Sequence, residues 1–125
     1  MENTEFDIKK RTFQFALEAL LLCKQIQETN REYILTKQLI RSATSVGANI
    51  RESRSAQSTK DFIHKVSIAQ KECDESSYWI ELLLASTDKY QSRLNSLHKE
   101  SDELMRILSS IIIKSKANLR LKKAF

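Results

Sequence analysis

Proline is absent from this chain and glycine occurs once, at position 47. These two residues punctuate chains into turns and hairpins, so their scarcity argues against a β-rich fold and for long uninterrupted helices. No apolar run approaches the ~18 residues a membrane-spanning helix needs, and the opening M-E-N-T-E-F-D carries acid where an export signal carries base. Neither a span nor a signal is expected, and a cytoplasmic location with no membrane partner follows. Cysteine is also scarce. Cys23 and Cys73 lie inside apolar helical patterns without a CxxC pair or a neighbouring histidine, so they are expected to be reduced core residues. His64 has no second histidine one turn away, His98 stands alone in a polar segment, and the Glu-x-x-His pair of bundle metal sites is missing. No metal and no cofactor is predicted.

What remains is a chain of 125 residues, long enough to bury one core and short enough to be one domain. Apolar residues recur at helical spacing in four segments, predicting helices at about 6–28, 32–54, 59–86 and 93–116. In the first, Phe6, Phe13, Ala16, Leu17, Leu20 and Cys23 form the stripe, widened by Leu21, Leu22 and Ile26. The second carries one seam, Leu35, Leu39, Ala43, Val46 and Ile50; Thr29 or Asn30 is placed to cap its start. Ser58 followed by Asp61 predicts a capping box ahead of the third helix, whose seam is Phe62, Val66, Ala69, Cys73, Ser76, Ile80 and Leu83. The fourth is expected to end near Lys116, leaving 117–125 as a basic tail, frayed or loosely docked. Four helices of similar length with short connections predict an all-α, antiparallel up-down-up-down four-helix bundle.

Polar residues intrude beside the packing stripes. Arg41, Ser45, Asn49 and Glu52 form one row along the second helix. In an antiparallel hairpin turning near residue 57, facing positions sum to about 113, which sets Arg41 against Glu72 and Glu75, and Asn49 against His64 and Lys65. A guanidinium facing two carboxylates reads first as an ion pair that fixes helix register. A ligand or catalytic pocket on the same residues is the alternative, but it lacks a nucleophile and an acid/base partner. Gly47 in mid-helix costs about 1 kcal/mol relative to Ala, which close helix approach explains, with Trp79 or Phe62 as the bulky partner, within the subunit or across an interface.

A formal net charge of +5 leans towards an anionic partner. Cations gather at Lys9, Lys10 and Arg11; at Arg51, Arg54, Lys60 and Lys65; and at Lys114, Lys116, Arg120, Lys122 and Lys123. These are the candidate nucleic-acid contacts, with ordinary solvated faces as the alternative.

The run Q-L-I-R-S-A-T-S-V-G-A-N-I-R-E followed by S-T-K-D-F-I-H-K-V-S-I-A-Q-K-E-C-D-E-S-S-Y-W-I-E-L-L closely resembles the 23S rRNA-intervening-sequence protein family of bacterial four-helix bundles. Arg41, Ser45, Asn49, Ile50 and Glu52 fall on its first motif, and Phe62, Ala69, Glu72, Glu75 and Trp79 on its second. Ser53 departs from the Gly usual there. The resemblance implies a homopentameric ring. It also implies similarity to the accessory protein of diversity-generating retroelements, a basic pentamer that binds a reverse transcriptase and nucleic acid. The expectation is a non-enzymatic oligomer binding RNA or DNA through basic surface; the alternative is an adaptor docking a protein partner.

Overall fold

The computed structural model describes residues 4–124. Four α-helices follow in order: α1, Thr4–Asn30; α2, Ile34–Ser53; α3, Thr59–Ser86; and α4, Gln91–Ala124. No strand occurs among the described residues. Consecutive helices pack side by side, and α4 returns to α1 through the most thinly packed pairing in the bundle. The fold is the four-helix bundle that the short connections require.

Each helix end has a local cause. Arg31 takes a left-handed backbone (φ 54°) and its N–H donates to the Gln27 carbonyl at 3.0 Å, closing α1. The start of α2 is not held by Thr29 or Asn30, as its sequence predicted. The left-handed turn carries Glu32 into that role, and its carboxylate accepts from the backbone N–H groups of Leu35 (2.9 Å) and Thr36 (3.0 Å). At α3, Ser58 Oγ accepts from the Asp61 N–H at 3.0 Å, while the Asp61 carboxylate reaches one residue further back, to the Gln57 N–H at 3.2 Å. Tyr90, also left-handed (φ 63°), precedes α4 and donates its hydroxyl to Asn30 Oδ1 at 2.7 Å, joining two turns at one bundle end.

The seams of α2 and α3 lie inside: Leu39, Ala43, Val46 and Ile50 meet Val66, Ala69, Cys73, Ile80 and Leu83. Leu35 and Phe62 are half-buried. Ser76 sits at zero exposure in the seam and donates to Ser42 at 2.8 Å, a hydroxyl pair that satisfies both groups in the core. Burial drives both cysteine thiols up to about 12, so neither forms a thiolate at neutral pH.

Two expectations need correction. The stripe Phe13, Ala16, Leu17 and Leu20 does not face the core; Phe13 is 59% exposed. Cys23, Leu22 and Ile26 of the expected stripe are buried, and Ile8, Phe15 and Ala19 join them in place of the rest, with Thr12 among them donating its hydroxyl to the Ile8 carbonyl at 2.8 Å. The side chain of Phe6 lies outside the described residues. Nor does α4 stop near Lys116: it continues to Ala124, because no Gly or Pro interrupts it and Lys, Arg, Leu and Ala sustain a helix whose last turn favours cations. Phe125 lies outside the described residues.

Candidate interaction surface

The polar row of α2 works mainly within the bundle. Arg41 Nη1 donates to Glu72 Oε2 at 3.1 Å and its Nη2 reaches Glu75, so one guanidinium ties α2 to two turns of α3. The bond from Arg41 holds the Glu75 carboxyl below its ordinary value, and Glu75 also accepts from Trp79 Nε1 at 3.2 Å. Asn49 does not meet His64 or Lys65; its amide donates to the Ser45 carbonyl (2.8 Å) and Oγ (3.1 Å) of its own helix. Lys65 lies 3.9 Å from Glu52. Every buried side-chain polar atom among the described residues has a partner, so this row leaves no inward-facing group unpaired.

Gly47 permits close approach, but to α1 rather than to Trp79 or Phe62. A Cβ there would stand 3.4 Å from the Thr12 carbonyl oxygen and 3.8 Å from the Phe13 nitrogen. The two helices meet backbone to backbone at this point. Above it opens a groove of about 670 Å³ whose floor includes Phe13, Ala16 and Ala48 and whose rim carries Lys9, Lys10 and Arg51. Phe13, Leu17 (37% exposed) and Leu21 (52%) extend it along α1 as a strip at four-residue spacing. Sequence reasoning placed Lys9, Lys10 and Arg51 among basic clusters; the structure brings them from two helices to one rim.

Arg11 is differently committed. Its Nε donates to Glu100 Oε2 at 3.1 Å, its Nη2 to Glu100 Oε1 at 2.6 Å, and Nη2 also reaches Glu103. The fork clamps α1 to α4, raises the guanidinium's proton affinity and lowers that of Glu103. Arg54 and Lys60 lie exposed around the α2–α3 turn. Lys114, Lys116, Arg120, Lys122 and Lys123 are all exposed on the last turns of α4, beyond Ile112, its last buried residue. From Leu104 onward α4 carries no acidic side chain. Residues 113–124 add about 18 Å of helix at ~1.5 Å per residue, with Leu119 alone half-packed against the core cluster.

His98 is not alone, as its sequence context implied. Its Nε2 lies 3.2 Å from both Ser77 Oγ and Glu81 Oε2, and its Nδ1 lies 3.7 Å from Asp102 Oδ2. The Ser-His-Asp order invites comparison with a hydrolase relay. However, these residues sit inside continuous helices whose backbone N–H groups are already bonded, leaving no oxyanion donors beside Ser77. The cluster fastens α3 to α4. Among the described residues no group of His, Cys, Asp and Glu is arranged to hold a metal, and no helix is long and apolar enough to cross a membrane.

With this geometry in place, comparison with known proteins is decisive for kinship. The family model of the 23S rRNA-intervening sequence protein matches residues 4–110, nearly the whole bundle. The chain belongs to that family. A crystal structure of a Bacteroides thetaiotaomicron protein of unknown function, from the S23 ribosomal protein family, superposes with a TM-score of 0.81 at 40% identity, covering 84% of this chain and 97% of that one. No curated protein matches this chain. The match to the 23S rRNA-intervening sequence protein model ends at residue 110, so the cationic turns of α4 lie beyond it.

Proposed function

We propose that this member of the 23S rRNA-intervening sequence protein family is a non-enzymatic, self-assembling bundle that holds the phosphate backbone of nucleic acid on the cationic end of α4. One observation carries the reading: α4 persists to Ala124 as a helix bearing Lys114, Lys116, Arg120, Lys122 and Lys123, all exposed and with no carboxylate among them. A rigid cationic rod neutralises phosphates without reading bases, so RNA and DNA should both bind and sequence should matter little. Assembly multiplies the rod. In the pentameric ring implied by the family resemblance, five such ends would share one polyanion and gain by effective concentration.

Titration of single-stranded RNA and duplex DNA at two salt concentrations tests this. Binding should weaken linearly in log salt, by roughly 0.7–0.9 log units per neutralised phosphate for each tenfold rise. Absence of binding at low salt refutes it. The exposed strip of Phe13, Leu17 and Leu21 favours a second reading, an adaptor docking another protein, whose affinity would be insensitive to salt.

A further inference from the structure

The apolar strip on α1 needs a cover, and the charges around it say what kind. Phe13, Leu17 and Leu21 present bulky side chains to solvent, and the groove beside Phe13 is rimmed by Lys9, Lys10 and Arg51. Among the described residues the one carboxylate lining it, Glu52, has Lys65 at 3.9 Å. A fitting occupant is therefore an apolar projection flanked by acid. The outer face of α3 carries one. Tyr78 is 55% exposed and stands edge-on to Trp79 with ring centroids 5.1 Å apart, while the Trp79 indole is fixed by its bond to Glu75. Asp74 and Glu81 lie one turn to either side of Tyr78, both exposed, with Lys71 the cation one turn beyond Asp74.

We infer that the α1–α2 groove of one copy receives the Tyr78 ridge of a second copy, so that the chain associates head to tail. The inference rests on the self-assembly reading above and specifies its faces. Two-fold pairing of groove with groove would set Lys9, Lys10 and Arg51 against themselves, and ridge with ridge would set Asp74 and Glu81 against themselves. Groove with ridge pairs opposite charges and buries Phe13 against Tyr78, aromatic anchors of the kind that carry interface energy. Groove and ridge lie on different helices, so each copy offers both at once. Such a contact is heterologous, and repetition yields a ring if the rotation closes and a filament if it does not. Lys9, Lys10 and Arg51 then belong to the interface, leaving the end of α4 for phosphate.

Sedimentation equilibrium on the full chain tests the inference, with circular dichroism confirming that each variant remains folded. Groove reversal (Lys9→Glu with Lys10→Glu) and ridge reversal (Asp74→Lys with Glu81→Lys) should each weaken association at least tenfold. Combining them restores the opposite charges and should bring association back to within about threefold of the wild type. Phe13→Ser, at an exposed position, should weaken association without unfolding the bundle, whether or not the Glu81 change disturbs His98. A wild type that assembles, with Phe13→Ser and both reversals leaving its association unchanged, overturns this pairing alone. Reversals that weaken association but are not rescued in combination overturn it too. A monomeric wild type overturns the self-assembly reading with it.

Discussion

Replacing Arg11 with Ala should loosen the bundle along its most thinly packed pairing, α1 against α4. Arg11 and Glu100 keep only 27% and 28% of their side-chain surface exposed, and the guanidinium engages Glu100 through two nitrogens while also reaching Glu103. Fully exposed pairs contribute about 0–1 kcal/mol and breaking buried pairs costs about 3–5 kcal/mol. This pair lies between, nearer the exposed end, so the loss should be about 1–2 kcal/mol, a fall of roughly 3–8 °C in midpoint temperature for a chain of this size. Urea titration of Arg11→Ala, Glu100→Ala and the double variant isolates the interaction, which should exceed about 0.7 kcal/mol of coupling. Arg11→Lys should recover less than half of the loss, because an ammonium cannot form the fork. Coupling below about 0.3 kcal/mol would refute the reasoning and leave Arg11 as a surface cation.

Three further outcomes follow from the same geometry. Gly47→Ala should be within about 1 kcal/mol of wild type by urea titration, its gain in helix propensity offset by the tight contact with Thr12, whereas Gly47→Leu should force α1 from α2 and cost about 3 kcal/mol or more. Arg41 is 52% exposed, so Arg41→Ala should cost under about 1 kcal/mol. Because Glu75 titrates below its ordinary value in the fold, its contribution is present above the unfolded carboxylate value of 4.5 and disappears as pH falls through the folded one. Acid titration of stability should therefore show a smaller low-pH loss in Arg41→Ala. Cys23 and Cys73, buried with thiols near 12, should resist a thiol reagent in the native protein and react on unfolding.

The parts of this molecule legible in its sequence are those where one seam keeps a regular four-three step. In α2, and in α3 despite the second apolar face of Ile63, Trp79 and Leu82, that step places Leu39, Ala43, Val46, Ala69 and Cys73 inside, and the short α2–α3 turn fixes a register that brings Arg41 to Glu72 and Glu75. In α1, apolar residues occur all round the helix between Phe13 and Cys23, so periodicity cannot say which side faces in; Phe15 is buried and Phe13 is not. The Arg11 clamp escapes a reading of the sequence because α1 and α4 are joined by no turn of their own. The hydrogen bond from Tyr90 to Asn30 shows that their ends meet, but antiparallel pairing counted from there would set Arg11 opposite Ser109, so the fork to Glu100 and Glu103 comes from the packing of the two helices and not from a countable register. The end of α4 reads too early in the sequence because its apolar stripe thins after Ile113, although its residues remain good helix formers to Ala124.

The central claim, that the cationic end of α4 holds phosphate, is tested most directly by comparing the wild type with a Lys116→Glu, Arg120→Glu, Lys123→Glu variant. Both would be titrated with single-stranded RNA at two salt concentrations, with the assembled mass checked by light scattering. The three residues share one face of a helix segment past the last buried position, so the variant should fold and assemble normally. The variant should bind at least tenfold more weakly at low salt, with a salt slope reduced by roughly 0.7 for each phosphate no longer neutralised. Equal binding and an equal slope in the two proteins would contradict the claim.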